Sequence, residues 1–174
     1  MTTDTVMQDV QAAITALQSG DRALAREQLG VIWERIRHAP RPLHECTLAH
    51  FMADAQDDPT HELAWDLRAL EAAQRCSEAE ASAYHESLSM AGFMPSLHLN
   101  LADVYRRLGD HYHSMQHLVE GRAAAVDMPD GPYASMIRRG LDRLAERLEA
   151  SASPLWVSFA PQPPLPGYSD AAAK

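Results

Sequence analysis

The chain has 174 residues, 46% of them hydrophobic, which is enough apolar material for one domain with its own core. Its formal charge of −9 argues against nucleic acid as a partner, since phosphates demand a basic surface, and no run approaches the ~20 apolar residues of a membrane helix. Two cysteines, Cys46 and Cys76, are too few for a disulfide framework and no signal-peptide pattern opens the chain, so a cytoplasmic setting is expected.

Thr5 to Leu17 reads as an amphipathic helix through Val10, Ile14 and Leu17, broken by Ser19-Gly20-Asp21. A second helix, Asp21 to Arg37, carries Leu24, Leu29, Ile32, Trp33 and Ile36 on one side, with the small Ala25 among them. Pro40 and Pro42 then form a rigid connector, because proline has no N–H to give to a helix ladder. Helices Leu43 to Ala55 and Thr60 to Arg75 flank Gln56-Asp57-Asp58-Pro59, where aspartate caps and a proline open the second of them. Leu48, Ala49 and Met52 are assigned to the core of the first, and Leu63, Leu67 and Leu70 to the core of its partner, with Trp65 covering an adjacent hairpin.

A fifth helix, Ser77 to Ala91, is predicted from the capping box Ser77 and Glu80, and Gly92 to Pro95 reads as a connector into the next hairpin. In the segment Pro95 to Gly121, Leu97, Leu101, Val104 and Leu108 recur at three- and four-residue steps before the turn Gly109-Asp110. Ser114, Met115, Leu118 and Gly121 continue the apolar side after it. An eighth helix, Tyr133 to Ala150, turns Ile137, Leu141, Leu144 and Leu148 inward. Residues 1–150 are thus expected to form one helical domain, and the Pro-rich 151–174 an extended, flexible tail.

Asn100-Leu101-Ala102, Tyr105, Gly109-Asp110, Ser114, Leu118 and Gly121 together resemble a tetratricopeptide repeat. The hairpin broken at Gly20-Asp21 is a second copy, and the turn at Asp57-Asp58 comes about one ~34-residue repeat after it. The resemblance implies an all-α superhelix of about eight antiparallel helices: three hairpins, one inserted helix and a C-terminal capping helix. It also implies a small, stand-alone bacterial scaffold that binds a protein or peptide without catalysis. His98 departs from the pattern by standing where the repeat has a large aromatic, and Asp58-Pro59 replaces a glycine turn.

In such repeats the first helix of each hairpin lines the concave face, which selects Cys46, His50 and Asp54, then Ser96, Leu99, Asp103, Arg106 and Arg107. Val10, Ile14, Leu17 and Gln18 would line the first hairpin. Arg106 and Arg107 suit bidentate capture of a carboxylate. A different reading gives the groove a small molecule or metal ion, with Cys46, His50 and His98 as ligands for zinc or copper; no other cofactor is expected. His113 and His117 form another i, i+4 pair, expected to face solvent. No catalytic residue is assigned, because a mid-helix cysteine has neither a helix N-terminus nor exposed amides beside it. A homodimer formed through the first helix or through Trp156 and Phe159 is a third possibility.

Overall fold

The computed structural model describes residues 4–77, 79 and 90–151. Those residues form seven helices and no strand: α1 (Thr5–Gln18), α2 (Arg22–Ile36), α3 (Pro42–Asp54), α4 (Pro59–Arg75), α5 (Met90–Arg107), α6 (His111–Ala124) and α7 (Pro132–Ser151). The expected helix Ser77 to Ala91 lies mostly outside the described residues, as does the tail beyond Ser151. None of these helices is long and apolar enough to cross a membrane.

Helix boundaries reflect local chemistry. Asp21, Asp58 and Asp110 accept hydrogen bonds from the amides of Leu24, Thr60 and His113, at 3.0, 2.8 and 3.1 Å, so each caps the orphan donors of the helix it opens. Gly20 and Gly109 have φ of +92° and +80°, the left-handed geometry that ends α1 and α5. No atom lies within 4 Å of a methyl added at Gly109, so the cost of Gly109→Ala is conformational alone. We expect that variant to lose ~1–2 kcal/mol in chemical denaturation, with its helix content unchanged.

Consecutive helices pair as α1–α2, α3–α4 and α5–α6. Helix α3 also packs on both α1 and α2, α5 on α4, and α7 on both α5 and α6, which closes the end of the stack. Trp65 of α4 meets Trp33 of α2 edge-on, with ring centroids 5.5 Å apart, and so covers the neighbouring hairpin as expected.

Two features depart from the sequence reading. Helix α5, described from Met90 to Arg107, runs through Pro95, where a connector is expected. The fully buried proline ring is held by its neighbours, and that packing offsets the backbone bond it cannot make. In α4 the buried residues are Asp66, Ala69, Ala72 and Ala73, whereas Leu67 is 42% exposed and Leu63 and Leu70 are half-buried. The alanine face lets α4 approach α3 and α5 closely, and it displaces the leucines to the rim. Leu24, Leu108 and Met115, assigned to apolar faces, likewise reach the surface.

Candidate functional site

The stripe predicted to line a groove divides into a buried half and a polar half. Val10 and Ile14 belong to the α1–α2–α3 core. Cys46 is sealed among Ala49, Ala69, Ala72, Ala73 and Leu97, where burial pushes its thiol up to about 12. Leu99 packs on α7, so closely that a methyl at Gly140 would fall 2.6 Å from its Cδ2. His50 lies between the rings of Phe51 and Phe93, at 4.9 and 5.3 Å, with its Nδ1 buried and without a hydrogen-bond partner. Burial holds this imidazole below its ordinary pKa, against the opposing pull of Asp54. The ligand set Cys46, His50 and His98 is not assembled, because His98 turns toward α6 and sets its Nδ1 against His117.

Asp54, Asp103, Arg106 and Arg107 remain on the polar side. Asp103 accepts from Arg106 at 2.9 Å and from Arg107 at 3.0 Å, and Arg107 also reaches Glu62 of α4. These pairs occupy both guanidinium groups. Asp54 faces an amide and not a cation, accepting from Asn100 at 3.3 Å. Beside them lies an open cleft of about 380 Å3 lined by Arg22, Asp54, Gln56, Asp57, Glu62 and Arg107. Arg22 donates to the Gln56 carbonyl, and Arg26 holds Asp57 at 2.7 Å, which keeps that carboxyl below the usual carboxylate range.

Asp66, which the helical periodicity does not single out, is the unusual member of this region. It is 1% exposed, and neither carboxyl oxygen has a hydrogen-bond partner. Burial, reinforced by the charges of Asp54 and Glu62, raises its pKa to about 8; the Asn100 amide and the Arg107 charge act the other way without satisfying either oxygen. The signal present in the sequence is its position, three residues before Ala69 and seven before Ala73, on the small-residue face of α4.

A second cluster spans the α5–α6 hairpin. His98 Nδ1 lies 3.0 Å from His117 Nδ1 and 3.2 Å from Glu120 Oε2, and His117 Nδ1 lies 3.3 Å from the same oxygen. His98 therefore bonds within this trio. His113 is exposed and paired with Asp110 as a surface residue, but His117 is half-buried beneath Tyr105, whose ring is 5.6 Å away and nearly parallel. The expectation that both face solvent holds for His113 only. Gly121 makes room for the trio, because a methyl there would come within 3.2 Å of His98 Cβ and 2.9 Å of Leu141 Cδ2.

Compared with family models, curated proteins and solved structures, the chain matches none of them.

Proposed function

We propose that this chain is a non-enzymatic binding module, a tetratricopeptide-like stack of hairpins whose polar cleft at the Asp54 end of α3 captures a basic segment of a protein or peptide. The observation that carries this reading is the state of the carboxylates. Arg106 and Arg107 are already neutralised by Asp103 and Glu62, whereas Asp54, which lines the cleft, has only an amide against it. A lysine, arginine or terminal ammonium entering the cleft would meet unmatched negative charge, and water excluded by the partner would strengthen that pairing. A free carboxylate would instead have to displace ion pairs that are already formed. The overall charge of −9 favours encounter with basic partners in the same sense.

The test is a peptide array in which lysine, glutamate and leucine are walked through a fixed-length neutral sequence. Selective retention of basic peptides is expected, weakened at least ~10-fold by Asp54→Asn and by raised salt. Preferential retention of acidic or carboxy-terminal peptides, lost in Arg107→Ala, would overturn the assignment and restore the arginine clamp.

A further inference from the structure

The geometry points to a divalent transition-metal site, best matched by zinc, held by His98 Nδ1, His117 Nδ1 and Glu120 Oε2 between α5 and α6. The three donor atoms form a nearly equilateral triangle with edges of 3.0, 3.2 and 3.3 Å. Ligands placed ~2.0–2.1 Å from a tetrahedral zinc ion are separated from one another by about 3.3 Å, so this triangle has the size of one face of a zinc tetrahedron. Two imidazole nitrogens and a carboxylate oxygen are a donor set that zinc accepts, and three protein ligands leave the fourth position open to water or to a small ligand.

The surroundings favour a cation over an ordinary hydrogen-bonded trio. Two lone-pair nitrogens 3.0 Å apart repel unless a proton or a cation lies between them, and Glu120 adds negative charge at the same point. The Tyr105 ring stacked on His117 and the close approach at Gly121 fix where the two rings stand, so little ordering remains to be done on binding. The polar cleft contributes none of these atoms, and the two sites stand or fall separately.

The experiment is calorimetric titration of the full chain with zinc chloride after chelator treatment, alongside the cobalt(II) absorption spectrum. Saturation near one equivalent is expected. His117→Gln and Glu120→Gln should each weaken binding by more than the ~10–100-fold that loss of an outer-sphere partner costs, and His113→Gln should leave affinity unchanged. Glu120 is 49% exposed, so its variant keeps the fold even if the His117 variant does not. The cobalt form should show visible ligand-field bands without thiolate charge transfer. Absence of saturable binding, equal zinc affinity in Glu120→Gln and the parent, or a thiolate band would overturn the site; in the first case the histidine pair holds a proton only.

Discussion

Replacement of Asp66 by asparagine is expected to stabilise the protein above about pH 8 and to remove most of the decline in stability that the parent shows on approach to that pH. In the native state the Asp66 carboxyl keeps its proton up to about 8, whereas in the unfolded chain it releases it near the ordinary value of 3.8. Below the lower value both states are protonated and the buried neutral acid is accommodated. Between the two values only the unfolded state gives up the proton, so stability falls by about 1.4 kcal/mol per pH unit. Above the upper value the native carboxyl is charged as well, and the slope from this group vanishes. Integrated over the window, the loss has a ceiling of about 6 kcal/mol. The asparagine amide carries no charge, but its own unmet hydrogen bonds reduce the gain, so an advantage of ~2–4 kcal/mol at high pH is expected. Urea denaturation of both proteins from about pH 4 to about pH 9 checks this; parallel curves would mean that Asp66 is solvated or paired in the native state.

The parts of the fold that are legible in the sequence are those set by local chemistry. The glycine turns at Gly20 and Gly109, the aspartate caps after them, and the leucine stripes of α5 and α7 need only a few neighbouring residues to be read. Helix α4 is not legible in this way, because hydrophobic periodicity ranks Leu63, Leu67 and Leu70 above alanine, whereas the distance between packed helices decides which face is buried. The site divides in the same way. Asp54, Asp103 and Arg107 are visible from helical register, but Glu62 and Asp66 reach the same region from α4, and no periodicity links them to α5. The histidine cluster has a signal of another kind: His98 stands eleven residues before Gly109 and Glu120 eleven after it, so a hairpin folded at that glycine brings them to one level. Helical spacing within α6 suggests His113 as the partner of His117, and the turn supplies His98 instead.

Leu101→Ala is expected to destabilise the protein by ~2–5 kcal/mol, and Leu108→Ala by under ~1 kcal/mol, although both remove the same atoms. Leu101 is 0% exposed in α5, the helix that packs on α4, α6 and α7, while Leu108 is 40% exposed just past its end. Because alanine favours helix slightly more than leucine, propensity would lessen the loss at Leu101, so the larger loss there reports burial and the cavity left behind. Urea titration followed by far-ultraviolet circular dichroism supplies the comparison, the shift in midpoint giving each loss at constant slope. A shallower slope in Leu101→Ala would show the helices separating at α5, which joins α4 to α6 and α7. Equal losses in the two variants would mean that Leu101 is not sealed between α5 and its neighbours, and the packing of α5 on α4, α6 and α7 would have to be redrawn.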